Sequence, residues 1–238
     1  MNIILFEQEE LGQFLPLRDE RARHIMKVLG FGVGDSFDMG LVNGARGKGR
    51  LVEISEEGMK IDFALGEEIP KLHPITLLMA YVRPVNAQRI LRDVTTLGVE
   101  RIMLFQGEKS EKSYASAKAY SAENLKNYLR EGAEQAFCTQ IPVLNQYKNL
   151  RECLDALPEG TPLFALDNYE ASIRLSKVAP KESSAALAIG PERGWSAKER
   201  DLFREKGYAL ASLGERVLRT ETACVAAVSV YLGKLRVV

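Results

Sequence analysis

Cysteine and histidine are both scarce in this chain. Its 238 residues include three cysteines (Cys138, Cys153, Cys224) and two histidines (His24, His73). The cysteines are scattered and odd in number, and no Cys-x-x-Cys occurs. That argues against a metal site and against a disulfide framework, and the expected compartment is a reducing cytoplasm. No apolar run approaches the roughly 20 residues of a membrane span. Met1 to Gln8 lacks the charged start and long apolar core of a signal peptide. Net charge is absent too, since 32 Lys and Arg balance 32 Asp and Glu, which is not the profile of a typical nucleic-acid binder. No Gly-x-Gly-x-x-Gly follows the strand expected at Ile75, which disfavours a nicotinamide dehydrogenase.

The balance conceals an asymmetry. Residues 1–70 hold 8 Lys/Arg against 13 Asp/Glu, a net of −5, so the rest carries +5. Any nucleic-acid contact should lean on local basic patches and on the C-terminal part. Hydrophobic residues make up 46% and charged residues 27%, ordinary for a globular protein.

In chain order, a short apolar strand at Asn2–Phe6 precedes a helical pattern at Asp19–Leu29. Three strand candidates follow at Ser36–Leu41, Gly49–Ile54 and Met59–Phe63, separated by turn clusters. Short, close strands with one helix predict a small β-barrel. The stretch Gly44–Arg50 reads as a loop with three basic residues, Arg46, Lys48 and Arg50, able to touch a phosphate backbone. Solvated charges at a hairpin end would give the same pattern. Polar Gly66–Lys71 marks the boundary, giving expected domains at 1–70 and 71–238.

Beyond it, strands and helices alternate, which predicts a parallel sheet. Ile75–Val82 is a strand, Asn86–Leu97 a helix stopped by Gly98, and Arg101–Phe105 a strand. Gln106–Ala122 shows no apolar period, but Lys109, Lys112 and Lys118 interleave with Tyr114 and Tyr120. Such a segment is either a mobile surface loop or a platform for stacked bases beside cations. Glu123–Phe137 is an amphipathic helix and Thr161–Leu166 a further strand.

The last fifty residues carry the most specific signals. Ser184–Ile189 reads as a buried strand, followed by Gly190-Pro191-Glu192-Arg193-Gly194-Trp195-Ser196. Ser196 and Glu199 have capping-box spacing for the next helix. Tyr208–Leu213 is the next strand, followed by Gly214-Glu215-Arg216-Val217-Leu218-Arg219 and a helix from Thr220 to about Lys234. Two consecutive strand-loop-helix units put both loops at one edge of a parallel sheet, where such sheets bind ligands. Gly190 and Gly194 let backbone approach a ligand. Glu192 offers a carboxylate to a ribose or a proton. Arg216 and Arg219, just before a helix start, suit an anion.

Gly-Pro-Glu-x-Gly-Trp-Ser followed by Leu-Gly-x-Arg-x-Leu-Arg-Thr-Glu-Thr-Ala resembles the SPOUT superfamily of S-adenosylmethionine-dependent RNA methyltransferases. Within it, the pair resembles the bacterial 16S ribosomal RNA uridine-N3 methyltransferases. The resemblance implies an α/β fold: a parallel-sheet SPOUT domain with a trefoil knot, plus a small N-terminal PUA-like β-barrel. It implies S-adenosylmethionine as cofactor, held by Leu166, Asp167, Gly190, Pro191, Glu192, Gly194, Leu213, Gly214, Leu218, Thr222 and Ala223. It also implies a homodimer acting on ribosomal RNA or the small ribosomal subunit, with the region of the last helix near the interface. Candidate catalytic residues are Arg216 and Arg219 for an anion or phosphate, and Glu192 or Glu221 for the proton. Candidate RNA contacts are Arg46, Lys48, Arg50, Lys109 and Lys112. The sequence departs from the family pattern at Gly30, Thr96, Cys138 and Gln140. It departs most sharply at Arg193, where the family has glycine. Two rival readings follow from these departures: a SPOUT methyltransferase of another RNA, or a non-catalytic RNA-binding relative.

Overall fold

The computed structural model describes residues 2–179 and 184–236. The ends of the two expected domains, Met1 and Val237–Val238, lie outside the described residues. The chain divides into two units, Met1–Lys71 with Ala133–Ile141, and Leu72–Gly132 with Pro142–Val238.

The first unit contains β1 (Ile4–Phe6), α1 (Glu20–Arg23), β2 (Ser36–Leu41), β3 (Arg46–Ser55) and β4 (Gly58–Leu65). The strands form a mixed sheet in the order β1-β2-β3-β4, with β1 parallel to β2 and the other pairs antiparallel. Phe6, Ile25, Met39, Leu51, Met59 and Ile61 pack its core. Asp19 starts α1 by accepting the Arg21 amide at 2.8 Å, the usual acidic N-cap.

One sequence expectation needs correction here. Arg46, Lys48 and Arg50 are not in a loop but alternate along β3. Glycines are depleted in strands, yet a side chain at Gly47 would collide with the Ala64 backbone, and one at Gly49 would press on the Phe37 ring. The glycines therefore allow close packing within the sheet. The segment Ala133–Ile141 also belongs with the first unit. The Glu134 carbonyl accepts the Asn2 and Ile3 amides at 3.2 and 3.3 Å, and Thr139 Oγ1 donates to the Gly44 carbonyl at 2.6 Å.

In the second unit, β5 (His73–Ala80), α2 (Pro84–Thr96), β6 (Val99–Phe105), α3 (Ala122–Gln135, in this unit as far as Gly132), β7 (Val143–Tyr147), α4 (Leu150–Asp155) and β8 (Leu163–Leu166) come first. Then follow β9 (Ile173–Arg174), β10 (Ala185–Ile189), α5 (Ala197–Glu205), β11 (Ala209–Ser212) and α6 (Thr220–Lys234). The seven strands pair in parallel in the order β7-β6-β5-β10-β8-β11-β9. β10 is buried along its whole length, as a central parallel strand must be. Pro84 opens α2 at a position that needs no amide donor, and Gly98 follows it with φ +76°. In α6, Cys224, Ala227, Val228, Tyr231 and Leu232 are buried, whereas Ala223, Ala226 and Ser229 are half-buried.

The segment after β6 is ordered by distant partners rather than by its own apolar period. Tyr120 Oη donates to the Val82 carbonyl at 2.8 Å and accepts the Val82 amide at 3.1 Å. Ser110 Oγ donates to the Tyr81 carbonyl at 2.8 Å.

Candidate active site

Three loops leave the carboxyl ends of β8, β10 and β11 at one edge of the sheet. The first is shaped by Asp167. Its Oδ1 accepts the Tyr169 and Glu170 amides at 2.6 and 2.7 Å, and its Oδ2 accepts Arg200 Nε at 2.7 Å. Burial alone would raise this carboxyl's pKa. The Glu170 amide, the Arg200 guanidinium and the Tyr169 amide outweigh burial and hold it below the usual carboxylate value. Asp167 therefore builds the loop, and both its oxygens are engaged in doing so.

The second loop is a tight turn. The Gly194 amide donates to the Pro191 carbonyl at 2.8 Å, which makes Glu192 and Arg193 the corner residues. Both are exposed. Gly194 has φ +65°, where a side chain would be strained. Gly190 has a different reason to be glycine, because a Cβ there would sit 3.2 Å from the Trp195 ring. Trp195 is buried against Phe105 and Phe203, and its Nε1–H donates to the Leu166 carbonyl at 2.8 Å. Ser196 Oγ accepts the Glu199 amide at 3.1 Å and Glu199 Oε2 accepts the Ser196 amide at 2.8 Å, the capping box expected from spacing. Glu199 is buried, and its other oxygen accepts the Glu108 amide at 3.0 Å, fixing the loop after β6.

These loops enclose a cleft of about 190 Å³. Among the expected cofactor residues, Leu166, Asp167, Gly190, Pro191, Glu192, Gly194, Leu213, Leu218 and Ala223 line it. Gly214 and Thr222 do not. The sequence reading did not assign Ile189, Trp195, Val217 or Thr220 to this cleft, although each neighbours a residue it did assign.

A second, wider cleft of about 560 Å³ adjoins the first and shares Glu192, Val217, Leu218 and Thr220 with it. Arg83, Val85, Asn86, Arg219 and Glu221 complete its lining. Arg219 and Glu221 thus share a cleft with Glu192, whereas Arg216 lines neither cleft. Arg83 and Asn86 were missed in the sequence, where nothing marks the start of α2 as facing the last loop. Glu192 Oε1 accepts the Arg83 amide at 2.9 Å and so ties the second loop to the start of α2. No cysteine lines either cleft, and burial pushes Cys153 up to about 12 and raises Cys224 as well.

The expected RNA contacts fall in both units. In the first, Lys48 pairs with Asp38 at 2.7 Å and Arg46 with Glu68 at 3.0 Å, while Arg50 is exposed. In the second, Lys109 and Lys112 are exposed. Among the described residues no His, Cys, Asp or Glu cluster could hold a metal, and no helix is long and apolar enough to cross a membrane.

The family model for an RNA methyltransferase domain matches residues 68–232, so the chain is an RNA methyltransferase by family. A relative from Treponema pallidum named ribosomal RNA small subunit methyltransferase E is 36% identical over 98% of this chain and 91% of its own length. A Borreliella burgdorferi relative, named ribosomal RNA small subunit methyltransferase E 1, is 30% identical over 99% of both. The chain belongs to this ribosomal RNA small subunit methyltransferase E family. A Legionella pneumophila structure with the bound cofactor SAM has a TM-score of 0.83 at 25% identity, covering 98% of this chain and 97% of that one. The Neisseria gonorrhoeae ribosomal RNA small subunit methyltransferase E, solved bound to S-adenosyl methionine, shares the fold with a TM-score of 0.80 at 23% identity, over 98% and 97% of the two chains.

Proposed function

We propose that the protein transfers the methyl group of S-adenosylmethionine to N3 of a uridine in 16S ribosomal RNA. The observation that carries this reading is the pair of adjoining clefts with Glu192, Val217, Leu218 and Thr220 as a common wall. One cleft suits a methyl donor and the other a nucleotide acceptor. The names of the relatives and the cofactor in the solved structures support the same assignment.

The first cleft fits the cofactor chemically. Leu166, Leu213, Leu218 and Ala223 offer apolar walls to a flat ring, and the 190–194 turn offers peptide groups to polar substituents. When bound, S-adenosylmethionine supplies an electrophilic methyl group. The protein's own contribution is to hold the acceptor in line and remove its proton. Uridine N3 is protonated at neutral pH, so a base is needed. Glu221 lines the acceptor cleft and serves that role better than Glu192, whose carboxylate already accepts the Arg83 amide. Arg219 stabilises the anionic base or an adjoining phosphate.

We extend the reading to architecture and context. The order β5-β10-β8-β11, with later strands inserted between earlier ones, supports a SPOUT-type trefoil knot. The mixed sheet of the first unit supports a PUA-like RNA-binding barrel. There Arg46 and Lys48 would exchange their carboxylate partners for phosphates, with Arg50 beside them on β3. Lys109 and Lys112 are the RNA contacts of the second unit. The protein is read as a cytoplasmic homodimer, which light scattering would test. Gly30, Cys138 and Gln140 favour, as second reading, the same chemistry on a different RNA.

The test is radiolabelled methyl transfer to small ribosomal subunits lacking N3-methyluridine, followed by nucleoside analysis. N3-methyluridine is the expected product. Cofactor binding without transfer would move the reading to another RNA, and no cofactor binding would favour a non-catalytic relative.

A further inference from the structure

Arg193 stands at the corner of the turn that begins at Pro191, and a corner side chain of a tight turn projects away from the fold. Its backbone is not in the left-handed region that glycine alone favours, so nothing in the turn opposes a side chain there. Its carbonyl accepts Lys109 Nζ at 3.5 Å, which brings the Lys109 ammonium to the rim of the same turn. The loop carrying Lys109 is held there from both sides. Glu199 accepts the Glu108 amide, and Ser110 Oγ bonds the Tyr81 carbonyl.

The nearby carboxylates of known direction point elsewhere. Glu192 faces the Arg83 amide, and both Glu199 oxygens accept backbone amides. Among the described residues neither Arg193 nor Lys109 forms an ion pair. Arg21, Arg92, Arg174, Arg200 and Arg204, by contrast, all do. Two exposed cations are therefore placed beside the shared wall of the two clefts, with no ion-pair partner among the described residues. Guanidinium and ammonium groups so placed match a phosphodiester, the guanidinium by paired hydrogen bonds and the ammonium as a point charge.

We propose that Arg193 and Lys109 together form a phosphate subsite that grips the RNA backbone beside the target nucleotide. The subsite rests on the proposed function, since it assumes an RNA in the second cleft. It gives Arg193 a role that a glycine could not fill. Arg193 acts on RNA affinity and register, not on the cofactor, although it borders the cofactor cleft.

Three measurements on the full chain test this. Filter binding of an unmodified 16S ribosomal RNA transcript needs no turnover and is run across a salt series. Methyl transfer to the same transcript gives KM. Fluorescence of Trp195, the single tryptophan, follows S-adenosylmethionine binding. For Arg193→Gly, transcript affinity should fall by about 5-fold or more, and the slope of log affinity against log salt should lose about 1. Lys109→Ala should do the same, and Arg193→Lys should recover most of the slope. Cofactor affinity should stay within a factor of two in each variant. Unchanged transcript affinity and slope would overturn the proposal. So would a several-fold loss of cofactor affinity, which would assign Arg193 to the cofactor's carboxylate. Wild-type protein that binds transcript but transfers no methyl group to small ribosomal subunits would sink the proposed function while leaving the binding series to judge this subsite.

Discussion

Trp195 Nε1 and the Leu166 carbonyl lie 2.8 Å apart, and this bond joins the loop after β10 to the end of β8. Two walls of the first cleft are thereby fixed to one another by a side chain whose ring also fills the core. Trp195→Phe keeps an aromatic ring but loses the donor and part of the volume. We expect a loss of about 1–3 kcal/mol, from one hydrogen bond and a small cavity. Urea unfolding checks this, and a change below about 0.5 kcal/mol would refute it. S-adenosylmethionine affinity, measured by calorimetry, should also fall.

The Asp167–Arg200 pair should show in the pH dependence of stability. Asp167 titrates below its unfolded value, so its contribution is present above the ordinary carboxylate range and is lost as pH falls through the folded value. Both side chains are nearly inaccessible, at 1% and 10% exposure. Asp167→Asn leaves Arg200 as a buried cation with one weaker ion pair, to Glu170 at 3.5 Å. That should cost about 3 kcal/mol at neutral pH. The gap between wild type and variant should narrow between about pH 5 and pH 2. A constant gap would mean that the charge of Asp167 contributes nothing.

Much of this architecture was legible because local signals and tertiary demands agree. Ser196 and Glu199 announce α5 by spacing, and Thr220–Lys234 reads as a helix and is one. The strands at Ile75, Arg101, Ala185 and Ala209 are apolar runs between turn residues, within two residues of their observed ends. What stayed hidden depends on partners far away in sequence. Arg46–Arg50 looks like a glycine-rich loop until β2 and β4 give Gly47 and Gly49 something to pack against. The order of 106–121 comes from Tyr81, Val82 and Glu199, up to 91 residues distant. Arg83 enters the site because the Glu192 carboxylate reaches 109 residues back to its amide.

That same bond separates two roles for Glu192. If its carboxylate serves by accepting the Arg83 amide, Glu192→Gln retains an acceptor oxygen and Glu192→Ala does not. Steady-state methyl transfer should then fall less for the glutamine variant than for alanine, by about 10-fold or more in the ratio, which is about 1.4 kcal/mol. Equal losses in both would restore Glu192 as a candidate base. If Glu221 is the base, as proposed, Glu221→Gln should lose activity heavily, because it removes the carboxylate and leaves the helix start otherwise intact.

Arg216 and Arg219 are equivalent by sequence but not by position. Both are exposed, but Arg219 lines the second cleft and Arg216 lines neither. An arginine that stabilises charge developing on the base contributes roughly 2.7–4 kcal/mol to the barrier, as a well-placed oxyanion donor does. Arg219→Ala should therefore lower kcat/KM by about 10²-fold or more. Arg216→Ala touches only long-range attraction, and its effect should be small and should vanish in high salt. Measuring both at low and high ionic strength separates a short-range contact from steering. If Arg216→Ala proved the more damaging of the two in high salt, the acceptor would lie outside the cleft assigned to it.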